Sequence, residues 1–393
     1  MNRLALFTKQ VVTPERVIPQ GVILVEGSRI LEVNSRFSIH FDDREFEVFH
    51  CENLTLVPGF IDIHIHGADG RDIMEGTKEA VDAISGFLVR HGTTAYLATT
   101  VTASPYATLQ AIESLGKLIP GGAGGARVLG LHLEGPFINE KKRGVHPSEF
   151  IRHPSTPTLD EFIKWSNNQI KLVTMAPEVP GGIDFIRHAR SAGIKVSIGH
   201  SEATLMEARE AIAAGVTNAT HTFNAMREFN HREPGLLGAV LNEERVWAEF
   251  IADGVHVDPS VLEILLRCKG TRRLVLVTDA ISACGKPDGE YQVGPLRVQV
   301  NQGVCRTNDG RLAGSTLTQD RALQNMMRWT KVSLAEAAFM ASRNPAESIG
   351  IASQKGSIEP GLDADLVLLD DELNVQMTFC EGRLSYRRHQ AGL

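Results

Sequence analysis

Two histidines spaced i and i+2, His64 and His66 in Asp62-Ile63-His64-Ile65-His66-Gly67, close an apolar run that reads as a β-strand. On a strand this spacing puts both side chains on one face, so two imidazoles can reach one metal ion. Fourteen histidines in 393 residues give about 0.5 such pairs by chance, so the pair gains its meaning from position. Four more groups stand at the ends of other apolar runs: Glu134 after Leu131-His132-Leu133, His200 after Ile198-Gly199, His221 after Ala219-Thr220, and Asp279 after Val277-Thr278. Taken singly, each reads more readily as a hydrogen-bonded structural polar group than as a ligand. Taken together, imidazoles and carboxylates suit zinc, iron, manganese or cobalt. A divalent ion lowers the pKa of a water it binds to about 7 and polarises an amide carbonyl. Amide cleavage also needs a proton for the departing nitrogen, which a carboxylate beside the water can take up and hand on. Asp279 is assigned that general acid/base role, with metal ligation as its alternative.

Such a set works only if the chain gathers those strand ends. From Pro58 to about Gly350, short apolar runs alternate with helical stretches, the pattern of parallel strands with crossover helices. Eight candidate strands have cores at 60–65, 94–99, 128–133, 172–175, 195–198, 218–221, 247–251 and 274–278. Helical stretches at 77–90, 182–192, 202–214 and 258–268 fall between them. Eight such units predict an α/β fold, a (β/α)₈ TIM-like barrel, whose C-terminal strand ends form one mouth. A strand-rich piece at 291–313 follows the eighth strand as an insertion. Both ends of the chain are strand-like, with a hairpin signal at Gly27-Ser28 and short apolar strands at 365–370 and 373–377. The expected division is a barrel over 58–354 and a small β-sandwich domain assembled from 1–57 plus 355–393.

Composition narrows the function classes. Acidic residues outnumber basic ones, 47 against 40, for a formal charge of −7. That balance argues against a nucleic-acid partner while leaving room for a local basic pocket. The start of the sequence lacks a signal-peptide core, and no apolar run approaches the roughly 20 residues of a membrane span. A cytoplasmic protein without membrane association is expected. Cys51, Cys268, Cys284, Cys305 and Cys380 are scattered and form no CxxC pair, so they read as small buried hydrophobes in a reducing compartment rather than as disulfides or a zinc site.

The motifs resemble the N-acetylglucosamine-6-phosphate deacetylases of the amidohydrolase superfamily. The resemblance rests on Pro58-Gly59-Phe60-Ile61-Asp62, His132-Leu133-Glu134-Gly135-Pro136-Phe137, Gly199-His200-Ser201, Thr220-His221-Thr222-Phe223-Asn224-Ala225-Met226, Arg232-Glu233-Pro234-Gly235, Ala252-Asp253-Gly254-Val255-His256-Val257, Val277-Thr278-Asp279-Ala280 and Leu312-Ala313-Gly314-Ser315-Thr316. Lys355-Gly356-Ser357-Ile358-Glu359-Pro360-Gly361 then resembles the superfamily's return to its small β domain. The resemblance implies Glu134, His200 and His221 as ligands of a main metal and Asp279 as the acid/base. His64 and His66 resemble the two-metal form, in which Glu134 bridges, so one or two divalent ions (zinc or iron) are implied per subunit. It further implies that His146 meets the substrate near its acetamido carbonyl. Asn224, Ala225 and Arg232 would form a phosphate site, His256 would meet the sugar phosphate across a dimer interface, and the backbone around Leu312 would close over the sugar. Arg227 is read as a solvated charge. The implied partner is a small amino-sugar phosphate, and the implied assembly a homodimer.

One departure from the wider superfamily matters. Many members bridge two metals with a carboxylated lysine at the end of the fourth strand, which here reads Val173-Thr174-Met175-Ala176-Pro177-Glu178. Rival readings are the galacto epimer of the substrate, a deaminase or cyclic amidase on the same fold, and a catalytically dead relative acting as a binding protein. The 222–235 loop argues against the second, and the complete ligand set against the third.

Overall fold

The apolar runs in the middle of the sequence form eight parallel strands: β1 (Phe60–Ile65), β2 (Thr93–Thr100), β3 (Arg127–Glu134), β4 (Ile170–Met175), β5 (Lys195–Ile198), β6 (Asn218–Ala219), β7 (Trp247–Ile251) and β8 (Leu274–Val277). The computed structural model describes residues 3–13 and 16–388. The strands pair in sequence order, with registers such as Ile61↔Ala95, Leu131↔Ala98 and Phe250↔Leu276. The ring closes at the C-terminal ends of β1 and β8, where Asp279 N donates to His64 O at 2.9 Å and His66 N to Ala280 O at 2.8 Å.

A helix follows each strand: α1 (Lys78–Leu88), α2 (Pro105–Leu118), α3 (Thr156–Trp165), α4 (Gly182–Ser191), α5 (Leu205–Ala214), α6 (Gly235–Asn242), α7 (Pro259–Lys269) and α8 (Gln319–Thr330). Their starts are written in capping residues. Thr77, Ser104 and Asp258 each accept a backbone N–H from the first turn of α1, α2 and α7. α5 begins three residues later than expected, because Thr204 forms a capping box with Glu207 while the Glu202 N–H is taken by Glu178. The sixth strand ends at Ala219, short of the expected 221, since His221 has φ +28° and leaves the extended region. The chain is a (β/α)₈ barrel.

The strands of both chain ends form a second, eight-stranded sheet. Glu47–Pro58 is its pivot, parallel to Arg3–Val12 (Leu6↔Phe49) and antiparallel to Leu366–Leu369 (Leu368↔Leu56). Gly21–Glu26 and Arg29–Ser35 extend one side, Val375–Cys380 and Arg383–Arg387 the other. This small β-sandwich domain has its own apolar core, including Leu4, Leu6, Ile23, Phe49, Leu56, Leu368 and Phe379. Residues 1–2, 14–15 and 389–393 of the expected unit lie outside the described residues. The link to the barrel is tight at Gly59, where a Cβ would stand 2.2 Å from Thr94 Oγ1. The expected insertion is a three-stranded antiparallel sheet of Gly289–Val293, Leu296–Asn301 and Val304–Arg306.

Candidate metal centre

The ends of β1, β3, β5, β6 and β8 deliver side chains to one point. His64 projects from the end of β1, His66 is the residue just after it, and Glu134 is the final residue of β3. His200, His221 and Asp279 come just after their strands and hold positive φ of 49°, 28° and 50°. Non-glycine residues rarely adopt that left-handed region, and strain of this kind collects at functional sites. Here it turns three side chains inward where continued strand would have carried them past the mouth.

Glu134 lies at the centre. Its Oε1 is 3.2 Å from both His200 Nε2 and His221 Nε2 and 3.4 Å from His64 Nε2; its Oε2 is 3.2 Å from His66 Nε2 and 3.4 Å from His146 Nε2. Asp279 Oδ1 stands 3.4 Å from His64 Nε2 and 3.2 Å from His66 Nε2. Two triads emerge whose ligand atoms all lie within 4.8 Å of one another: Glu134, His200 and His221, and His64, His66 and Asp279. The donor set fits divalent ions. His200 Nε2 and His221 Nε2 approach to 3.0 Å, and the buried His64 Nε2 makes no hydrogen bond among the described residues. Such convergence of ring nitrogens on carboxylates is what imidazole–carboxylate metal sites require.

The electrostatics follow from the crowding. Burial works against charge on His64 and His66, but Glu134 and Asp279 outweigh it, holding His66 up at about 9 and His64 well above its ordinary range. Burial would raise both carboxyls; the imidazoles overcome it, keeping Glu134 far below its usual value and Asp279 at about 2. His146 differs. Burial takes it down to about 4, so its ring is neutral near pH 7. The Thr102 backbone N–H can only donate, and it points at His146 Nδ1 from 3.3 Å, with the Thr102 hydroxyl at 2.8 Å. Nδ1 is therefore the acceptor, and the ring proton sits on Nε2, facing the cluster.

The cluster opens into a cavity of about 330 Å³, lined also by Lys141, Lys142, Asn224, Ala225, His256, Arg311 and Leu312. That volume falls in the range of small-molecule sites. His256 is held by Asp253, which accepts from its Nδ1 at 2.6 Å and from its backbone N–H at 2.8 Å. Burial alone would lower this imidazole; Asp253 reverses the sign and keeps it cationic more readily than usual. His256 lines the cavity of its own chain. Arg232 is exposed and does not line the cavity; its backbone N–H is held by Asn230 Oδ1. Arg227 bonds the Glu202 carbonyl at 3.3 Å.

Several groups escaped the sequence reading: Thr102, Glu178, Glu249 and the cations Lys141, Lys142 and Arg311. Arg311 reaches the Gly144 carbonyl across 167 residues of sequence, and no local pattern announces such a contact. Glu249 lies inside Trp247-Ala248-Glu249-Phe250-Ile251, where a charged residue between apolar ones was a signal left unread. All five cysteines are free; four are buried as expected, and Cys268 is exposed.

A family model described as "Amidohydrolase family" spans residues 55–385. This chain belongs to that family. Its residues are 41% identical over 333 positions to the N-acetylglucosamine-6-phosphate deacetylase of Vibrio furnissii, covering 85% of this chain and 83% of that protein. They are 40% identical over 331 positions to the N-acetylgalactosamine-6-phosphate deacetylase of Escherichia coli O157:H7, covering 84% and 87%. Among solved structures, an aspartate-to-alanine variant of N-acetyl-D-glucosamine-6-phosphate deacetylase from Mycobacterium smegmatis, in complex with N-acetyl-D-glucosamine-6-phosphate, superposes with a TM-score of 0.91 at 31% identity, covering 98% of this amidohydrolase and 100% of that chain.

Proposed function

We propose that this amidohydrolase hydrolyses N-acetylglucosamine 6-phosphate to glucosamine 6-phosphate and acetate. One observation carries the reading: a buried imidazole–carboxylate cluster shares a single cavity with the cationic side chains of Lys141, Lys142 and Arg311 and with the imidazole of His256. The first suits an amide, the second a phosphate. Relatives of that activity support it. The division into 58–354 and 1–57 plus 355–393 belongs to the same reading, supported by an apolar cluster made wholly of residues from the two terminal segments, while Val12, Val57, Val367 and Leu369 of the terminal sheet pack into the barrel core.

Glu134, His200 and His221 would hold one ion, and His64, His66 and Asp279 a second, zinc or iron, with Glu134 between them. A divalent ion there supplies Lewis acidity toward water and the acetamide carbonyl. Asp279, ionised at its low pKa, takes the water proton on a carboxylate oxygen and passes it to the leaving nitrogen. His146 donates its Nε2–H toward the carbonyl oxygen, where charge develops. Asn224, Ala225, His256 and Leu312 contact the sugar phosphate along the cavity. Arg232 reaches the phosphate only when the exposed loop that carries it moves over the mouth or a second copy presents it; a cytoplasmic homodimer is part of the reading, resting on the resemblance. Among the described residues, no helix is long and apolar enough to cross a membrane.

The test is acetate release by metal-loaded protein from the 6-phosphates of N-acetylglucosamine and N-acetylgalactosamine and from plain N-acetylglucosamine. Preference for the first is expected. Preference for the galacto epimer, favoured by the Escherichia coli relative, would keep the mechanism and change the substrate. No acetate from any of them would sink the assignment. Arg232→Ala should raise KM for the phosphorylated sugar by about tenfold or more, the range of a lost charge-assisted contact; an unchanged KM removes Arg232 from the phosphate site.

A further inference from the structure

The His64 imidazole is fully enclosed. The His132 ring packs edge-on against it at 4.7 Å, and the His221 ring lies 5.6 Å away. Its two nitrogens are left with fixed outlooks. Nε2 faces Glu134 and Asp279, each at 3.4 Å. Nδ1 faces Oε2 of Glu249 on β7, a long contact of 3.4 Å. Glu249 is itself completely buried, and its Oε1 has no hydrogen-bond partner among the described residues. A carboxylate taken so far from water needs a compensating charge close by, and its ion-pair partner among the described residues is His64.

We infer that Glu249 is a positioning residue that commits His64 to metal binding and governs the ion held by His64, His66 and Asp279. The inference rests on the two-ion reading above. A ligating imidazole offers one nitrogen to its metal, and a carboxylate at the other fixes the tautomer and raises the ring's basicity. Glu249 accepts the Nδ1 proton of His64, so the proton that an ion displaces is the one on Nε2, and the lone pair it leaves points into the cluster. His200 is held in the same way by a neutral acceptor, the Lys142 carbonyl, 2.8 Å from its Nδ1. His66 and His221 lack any such partner at Nδ1 among the described residues. The two triads are therefore unlike. Two divalent ions bring four positive charges; Glu134 and Asp279 offset two, and Glu249, on the His64 side, a third.

The test uses the full chain, stripped by chelator and titrated with Zn²⁺ by calorimetry, with bound metal counted by mass spectrometry. The wild type should bind two ions. Glu249→Gln should weaken one of them about tenfold and Glu249→Leu about a hundredfold, with the other ion unchanged. Melting of stripped Glu249→Gln at the wild-type temperature would place the effect on the metal rather than on folding. If Glu249→Leu fails to fold, Glu249→Gln decides alone. Wild-type affinity for both ions in Glu249→Gln, equal weakening of both, or a wild type that binds one ion overturns the inference. A wild type that binds two ions but releases no acetate overturns the proposed reaction and leaves Glu249's role standing.

Discussion

Asp279 shows how much one side chain depends on its neighbours. Its carboxyl is pushed up by burial and pulled down further by His64 and His66, to about 2, so it is ionised near pH 7. Asp279→Asn should keep the ion at Glu134, His200 and His221 while lowering kcat by about 10²–10⁴; near-wild-type turnover with metal bound would remove the acid/base role. The imidazoles predict a pH effect. In chelator-stripped protein His66 stays protonated up to about pH 9, and His64 is raised likewise. An ion must displace those protons, so affinity falls as pH falls, and loading near pH 7 releases protons. Calorimetry in buffers of different ionisation enthalpy measures that release; none at pH 7 would contradict it. The residues that converge at the mouth were legible as candidate ligands, because each sits where an apolar run stops. Thr102 was not, since a threonine whose backbone fixes a histidine 44 residues away carries no mark of it.

At the scale of elements, the mouth is tied together by a side chain of the β4 loop. Glu178 accepts from Asn139 Nδ2 at 2.8 Å, Ser201 Oγ at 2.7 Å and Glu202 N at 2.7 Å. It thereby joins the segment that carries Lys141, Lys142 and His146 to the backbone beside His200, and Asn139 N adds a bond to His200 O at 2.9 Å. Glu178→Ala should cost about 2–4 kcal/mol of stability, as charge-assisted bonds are lost and donors stranded, and raise KM as the segment loosens. Urea unfolding checks the first and steady-state kinetics the second; a change below 0.5 kcal/mol, taken as roughly the level of an ordinary surface substitution, would mean the bonds are redundant. The barrel strands were readable because burial on both faces makes them continuous apolar runs, and the helices because one buried face imposes a period of 3.6. Their ends shifted where side chains intervened, as Thr204 and Glu178 do at α5. Loops obey no period, and the cations they bring to the cavity stayed hidden.

Across the whole molecule, barrel and terminal sheet meet at a buried ion cluster. Lys355 Nζ lies 2.7 Å from Asp365, 2.8 Å from Asp363 and 3.2 Å from Glu381, and the Asp365 carbonyl accepts from Gly59 N at 2.8 Å, on the approach to β1. Lys355→Met should strand those acids and destabilise the protein by about 3–5 kcal/mol, seen as a lower urea midpoint; an unchanged midpoint would show that water replaces the ammonium. The pairing of the two chain ends was legible as matching strand texture, but the cluster was not, nor its tie to the first strands through Arg29 Nη1, 2.9 Å from Asp363 Oδ1, because only folding brings these residues together. The barrel has a fastening of its own. Its ring of strands is clasped by the backbone of His64, His66, Asp279 and Ala280, the same stretch whose side chains make up one triad. An ion held there would draw those side chains together and the clasp shut with them, so its binding free energy would add to the cohesion of the ring.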